Sequence, residues 1–471
     1  MTSPPLTSNI QTPRRRVLIV SPHFPPTNAP DAQRVRTMLP YLAELGWEAE
    51  VLAVDPDHVE HPRDEILAQL LPDGVRVTRT GALPTRYTRK VGLGNLGLRS
   101  LPFLQRAGDR LLSQRPVDLV FFSTTIFPVM ILGRRWQRKF NVPYVLDFQD
   151  PWLGGFYQTQ AQGRPPGGRL KYTLDKALAQ LLEPRALERV SHLISVSPDY
   201  PQRLQQRYPH LTAQDCTVLP FGAPESDYHR LPSLGIGQRI FNPQDGNHHW
   251  VYVGRGGADM ATALHGLFYA LRQERDRHPQ DWETLRIHFV GTSYAQGDRA
   301  EKTIAPIAEQ YGLADMVTEH PHRIPYFEAQ QVLIESQGIL MIGSDDPRYS
   351  ASKLYPAILA RRPLLAIFPQ QSLVVEILRQ VKAGQVVIFD PGMKPAQLYP
   401  HMAPQLRSLR QQHHPPSTDW SAFAPYSAQA MTQKLCACFD RVVDSSHSQP
   451  PACTPLPRPR GSQFSRPVGH A

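Results

Sequence analysis

Short, largely β-branched apolar runs alternate with segments of helical period along almost the whole chain, and the alternation starts over once. The first pass opens with VLIV (17–20), then a Pro-rich loop. Val35, Leu39, Leu42 and Leu45 follow at helical spacing, with Asp31 as the expected N-cap and Gly46 as the expected stop. EAEVLAV (48–54) is the next strand. Two strands bridged by one helix pair in parallel, and strands covered on both faces read as unbroken apolar runs.

The pass continues with strands VDLVFFS (117–123), VPYVLDF (142–148), SHLISVS (191–197) and CTVLPFG (216–222). A long helix between the second and third of these carries Leu170, Leu174, Leu178 and Leu181, and Pro184 is expected to bend or break it. A turn-rich stretch follows, and the pattern restarts at WVYVG (250–254). It runs through LRIHFVG, MVTEH, GILMIG and PLLAIF to QVVIF (385–389), with helical segments between. The expected fold class is α/β, with two doubly wound Rossmann-like domains facing across a cleft. The expected divisions are a disordered tail over 1–15, a first domain over 16–228, a linker over 229–248 and a second domain over 249–415. A last helix over 416–444 and a disordered tail over 445–471 complete the chain.

The formal charge is +10 over 471 residues, and Arg14, Arg15, Arg16, Arg458, Arg460 and Arg466 supply six of it near the ends. No aromatic-basic RNA signature or zinc-finger spacing accompanies the charge, so no nucleic-acid partner is expected. Cys216, Cys436, Cys438 and Cys453 form no CxxC and read as reduced, incidental thiols. No run reaches the ~18 apolar residues of a membrane span. No apolar signal region is evident at the start, which points to the cytoplasm. The stretch 86–115 is basic with interleaved leucines. It is either an ordinary packed helix or a peripheral contact with the inner face of an anionic membrane.

Doubly wound sheets bind ligands beyond the carboxyl ends of their strands. SPHFPP (21–26), DFQDPW (147–152), VGRGGADM (253–260), VGTSYAQG (290–297) and GSDDPRYSASK (343–353) are thereby gathered around one cleft. Gly254 and Gly256 permit close backbone approach to a phosphate, and Arg255 offers a fork of donors matched to its oxygens. A plain strand-to-helix turn remains the other reading, since Asp259 stands where a third glycine would complete the dinucleotide fingerprint. Lys353 opposes the dipole of the helix it opens, so it makes sense facing an anion, with Ser352 as cap; an exposed lysine on a solvated turn is the alternative. Asp150, Asp147 and His23 are the candidate catalytic groups, and loop-holding roles are the alternative for each. No metal motif is convincing: Asp345 and Asp346 are only a short acidic pair.

The ordered set VLIVSPHFPP, VPYVLDFQDPW, HLISVSPDY, VLPFG, YVGRGG and SASKLY…ARRPLLAI resembles nucleotide-sugar glycosyltransferases of the GT-B fold. The likeness is to the glycosyltransferase family 4 type that serves capsular and exopolysaccharide synthesis, and it covers about residues 15 to 440. It implies a UDP- or GDP-sugar donor on the second domain, a glycan or lipid-linked acceptor on the first, and hexosyl transfer with retention. It implies no metal and no cofactor beyond the sugar nucleotide, and a last helix that crosses back to the first domain. Arg255 and Lys353 match the basic pair on the diphosphate, with Ser352 and Leu354 in the same segment. Arg323 and Tyr326 lie in HRIPYFEA, the stretch bordering the base.

Two departures stand out. Asn28, Ala29 and Pro30 replace the small glycines under the transferred sugar, so a backbone donor is lost there. In the family's Ser-Lys-x-x-Glu the glutamate reaches the ribose; here that position is Pro356, and Arg348 replaces the carboxylate eight residues earlier. A degenerate protein that binds nucleotide sugar or a partner without turnover is therefore the second reading, and a nucleotide-sugar epimerase the third.

Overall fold

The computed structural model describes residues 14–88, 94–153, 169–293, 295, 300–346 and 352–448. Arg348, Cys453, most of both tails and residues 89–93 of the basic leucine stretch lie outside them.

Two fully parallel sheets carry the molecule. The first holds β1 (Arg15–Val20), β2 (Trp47–Val54), β3 (Arg76–Thr80), β4 (Leu119–Ser123), β5 (Tyr144–Phe148), β6 (His192–Ser195) and β7 (Cys216–Val218). Their order is β3-β2-β1-β4-β5-β6-β7. The second holds β8 (His248–Val253), β9 (Leu285–Val290), β10 (Val317–His320), β11 (Gly338–Ile342), β12 (Leu364–Pro369) and β13 (Gln385–Phe389), in the order β10-β9-β8-β11-β12-β13. Helices cover both faces, which is why the inner strands are apolar without alternation.

β3 has no such run. Its RVTRT sequence carries no apolar run because it is an edge strand with one polar side, and the apolar-run criterion misses it. The helix Pro395–Gln411 is hidden by Pro400 and Pro404. It forms nonetheless, because Leu398, Met402, Leu406 and Leu409 are fully buried in the second domain's core. Tertiary packing outweighs the poor propensity.

Several boundaries are corrected. Arg15 begins β1, and its guanidinium pairs with Asp440 at 2.7 Å and Asp444 at 2.5 Å. The expected linker is helical at its start, Glu225–Leu234, and is ended by Gly235 at φ +61°. The last helix continues through residues 445–448. Asp31 caps nothing, because its carboxylate is engaged elsewhere. The helix Arg169–Leu187 continues through Pro184 without a break. The proline sits within a turn of its end, so the carbonyl left without a partner is that of exposed Gln180. This helix also buries Ala179, Leu182, Ala186 and Leu187, while Leu174 and Leu181 are 58% and 52% exposed. The inward stripe is displaced from the leucine row that the spacing suggested.

Of the basic leucine stretch, Leu96–Gln114 is an amphipathic helix that buries Leu104 and Leu112 against β2 and β4 residues. Its packing is that of an ordinary core helix. No described helix is long and apolar enough to cross a membrane.

The last helix, Ala428–Ser448, packs on the first sheet. Met431, Leu435 and Phe439 join Val17, Ile19, Val35 and Leu39 in one core, and the Phe439 ring meets Trp47 and Phe121 edge-on at 5.3 and 5.0 Å. A second seam joins the halves through Leu67, Leu231 and Phe327.

Candidate active site

A cavity of about 900 Å³ lies between the two sheets, at the carboxyl ends of their strands. It sits over the switch point of each sheet, between β1 and β4 on one side and between β8 and β11 on the other. At the second switch point the strands part. β11 pairs with β8 only at Gly338↔Trp250 and Ile339↔Val251, and beyond these rungs Val253, Leu340 and Met341 line the cavity. Strands that leave a switch point in opposite directions open such a crevice by topology.

The second domain's wall is cationic. Arg255, Arg323 and Lys353 all line the cavity, with Gly254, Gly256, Ser352 and Tyr326. A Cβ on Gly254 would collide with the Tyr252 ring and one on Gly256 with Thr303, so both glycines serve close packing as well as access. Asp259, at the supposed third-glycine position, holds the Arg255 fork by two bonds of 2.9 and 2.6 Å and accepts from Ser344 at 2.6 Å. Lys353 has no ion-pair partner among the described residues. Burial, followed by repulsion from Arg323 and Arg255, lowers its amine to about 7.

Two residues of the expected set do not fit. Leu354 is 1% exposed and belongs to the second domain's core, so its side chain cannot meet a ligand. Ser352 is not a cap: Lys353 occupies that position and makes no side-chain capping bond. Pro356 lies in the first turn of the helix Leu354–Leu359 and lines the cavity.

The first domain's wall carries His23, Asp31, His61, Thr125, Gln149 and Asp150. His23 Nδ1 and Asp31 Oδ1 are 2.8 Å apart. The other Asp31 oxygen accepts from the Thr124 and Thr125 hydroxyls and the Thr125 amide at 3.0–3.2 Å. Burial alone would raise this carboxyl; His23 and the two threonines outweigh it and bring it to about 2. An ionised Asp31 fixes the proton on His23 Nδ1 and leaves Nε2 as the basic nitrogen. The His61 ring stands edge-on to His23 at 4.7 Å, and burial followed by His23 lowers it to about 4. Asp150 is open to the cavity, yet walled closely enough that desolvation, followed by the Asp31 charge, pushes its carboxyl up to about 6.

Asp147 is a correction. It is fully buried beneath this wall, where Arg34 Nε, the Ser123 hydroxyl and Gln149 Nε2 converge on one oxygen at 2.7, 2.9 and 2.8 Å. It anchors the floor and never meets the cavity. The loop 28–30 offers little to an oxyanion, since the Asn28 and Ala29 amides donate to Pro62 and Thr27 carbonyls. His61, Asp31 and Gln149 escaped the reading of the sequence. Asp31 passes for a helix cap, and His61 lies in a polar loop without a motif.

These features define a two-domain α/β protein of the GT-B glycosyltransferase fold. Residues 32–222 match the model of the glycosyl transferase 4-like domain. Among solved structures, sucrose-phosphate synthase from Thermosynechococcus elongatus is similar at 15% identity and a TM-score of 0.57, covering 92% of this chain and 100% of that one. Anabaena HepE, solved with UDP-glucose, is similar at 14% identity and a TM-score of 0.52, covering 92% and 100%. The trehalose-6-phosphate phosphatase N-terminal domain of Candida albicans reaches 0.59 at 11% identity, covering 93% and 98%. No curated protein matches the chain by sequence.

Proposed function

We propose that the chain transfers a hexose, with retention, from a UDP- or GDP-sugar to a glycan or lipid-linked acceptor in cell-surface polysaccharide synthesis. The observation that carries this reading is the convergence of Arg255, Arg323 and Lys353 on one wall, opposite a His23–Asp31 pair. A buried Lys353 without an ion-pair partner among the described residues, set beside Arg323 and Arg255, is costly unless an anion joins it, and a diphosphate is the anion that the glycine-framed turn accommodates.

In this reading Lys353 and Arg323 hold the diphosphate, while Arg255, aligned by Asp259, completes the wall. His23, fixed in one tautomer by Asp31, orients the acceptor hydroxyl and receives its proton at Nε2. Asp150 binds the acceptor as a carboxylate. In this reading the charge that develops on the leaving diphosphate meets guanidinium and ammonium groups, the part a metal ion would otherwise play. Action in the cytoplasm at the inner membrane face belongs to the same proposal.

The test is a titration with a panel of UDP-, GDP- and other nucleotide sugars, following thermal shift and released nucleotide together. Binding with slow release is the expected result, and Lys353→Ala removes both. If Lys353→Ala leaves both intact, the donor site lies elsewhere. Pro356, an aliphatic ring on the donor wall, favours a second reading in which a donor is bound but never turned over. Binding without release, even with membrane extract as acceptor source, selects it.

A further inference from the structure

Leu174 and Leu181 are the most exposed leucines among the described residues, at 58% and 52%. They stand seven apart on the helix Arg169–Leu187, about two turns, and so share one outward stripe. The helix is held by its other side, where Ala179, Leu182, Ala186 and Leu187 are buried. The outward leucines add nothing to that packing, and any surface that covered them would gain by it.

The stripe runs into charge. The helix Ile131–Phe140 packs alongside, buries Leu132 and Trp136, and leaves Arg134, Arg135, Arg138 and Lys139 on its outer side. Arg134 and Arg138 both reach Glu188, seven residues beyond Leu181, at 2.7 and 3.0 Å. Arg135 and Lys139 both reach Asp109, at 3.0 and 2.8 Å. Each carboxylate thus serves two cations. Arg185 and Arg189 are exposed on the same side and add further positive charge, while Asp175 and Lys176 beside Leu174 offset one another.

We infer that this outer face of the first domain docks on a membrane carrying anionic phospholipid, with Leu174 and Leu181 entering the interface and the neighbouring guanidinium groups meeting lipid phosphates. The pairing of exposed leucines with surplus cations selects the partner. A bilayer interface offers hydrocarbon and phosphate side by side, and guanidinium forks match phosphate oxygens. Nucleic acid offers phosphate without hydrocarbon. The inference gives the membrane-face part of the proposed function its surface, and it is independent of the donor wall, whose residues line the cleft.

The experiment is flotation of the full chain with phosphatidylcholine vesicles, with and without phosphatidylglycerol. Binding is expected only where phosphatidylglycerol is present, and it should weaken as salt rises. Leu174→Ser with Leu181→Ser should lower partitioning about tenfold. Arg138→Gln with Lys139→Gln should lower it about twentyfold. Arg379→Gln with Lys382→Gln removes as much charge from an exposed part of the second domain and should bind like the unaltered chain. Thermal melts check that every variant folds. No binding to either vesicle overturns the inference. So does a leucine pair without effect, which marks plain charge attraction, or equal loss in the second-domain variant. Capture of an acidic protein through the same arginines, with no vesicle binding, overturns it as well. Nucleotide-sugar binding, followed by thermal shift on the same variants, keeps the two readings apart. Vesicle binding without nucleotide binding removes the donor site alone, and the reverse removes the docking face alone.

Discussion

At the scale of single residues, the cationic wall is a place where function opposes stability. Lys353 is held near 7 against an ordinary 10.5, so the folded chain carries it partly uncharged at neutral pH. Between these values the unfolded chain binds more protons, and this residue's contribution to stability rises with pH. Lys353→Met is expected to raise the melting temperature by roughly 1–3 °C while abolishing donor binding, read by thermal melts and calorimetry. A bound diphosphate restores the charged amine. Donor binding at pH 8 should therefore take up a proton, visible as a buffer-dependent heat, and affinity should fall as pH rises further. On the opposite wall the sign reverses. Asp150, raised to about 6, is ionised only above that value, so turnover should fall as pH drops through 6. Asp150→Asn should lack this acid limb, and a profile unchanged by the substitution would exclude Asp150 from acceptor binding.

At the scale of elements, the last helix repays attention because its partners are distant in sequence. Phe439 is fully buried between Trp47 and Phe121. Phe439→Ala is expected to destabilise the first domain by about 3–5 kcal/mol, measured by denaturant titration. Elements with unbroken apolar runs, such as VLIV in β1 or GILMI in β11, were legible because burial on both faces leaves no other pattern. Others were not. β3 is an edge strand without an apolar run, the Pro395–Gln411 helix carries internal prolines, and Glu225–Leu234 is short and polar enough to pass for a linker. In each case packing against a remote partner supplies the stability that local propensity withholds.

At the scale of the whole molecule, the two halves are tied by charge as well as by apolar contact. Arg36, on the Gln33–Leu42 helix, forks onto Asp227 at 2.9 and 2.6 Å, and its guanidinium lies 4.8 Å from the centre of the Tyr326 ring. The Tyr326 amide donates to Asp64 at 3.0 Å. The first domain thus grips the very residue that borders the donor wall. Breaking one side of a buried pair strands the other charge. Arg36→Met should cost about 3–5 kcal/mol and widen the cleft, detected as a larger radius of gyration by small-angle scattering.

The alternation of most strands with crossover helices, the cleft at their carboxyl ends and the places of Arg255 and Lys353 beside it were determined by sequence alone. Period and β-branching encode strand and helix locally, and right-handed parallel crossovers leave one place for a ligand. Which polar residues line that place was decided only by the tertiary structure. Asp147 and Asp150 stand three apart in DFQDPW, yet one lies under Arg34 and Ser123 while the other faces the cavity. Asp31 resembles a cap until His23 and the Thr124–Thr125 turn meet it. Such roles depend on contacts between residues far apart in the chain, and local sequence carries no record of them.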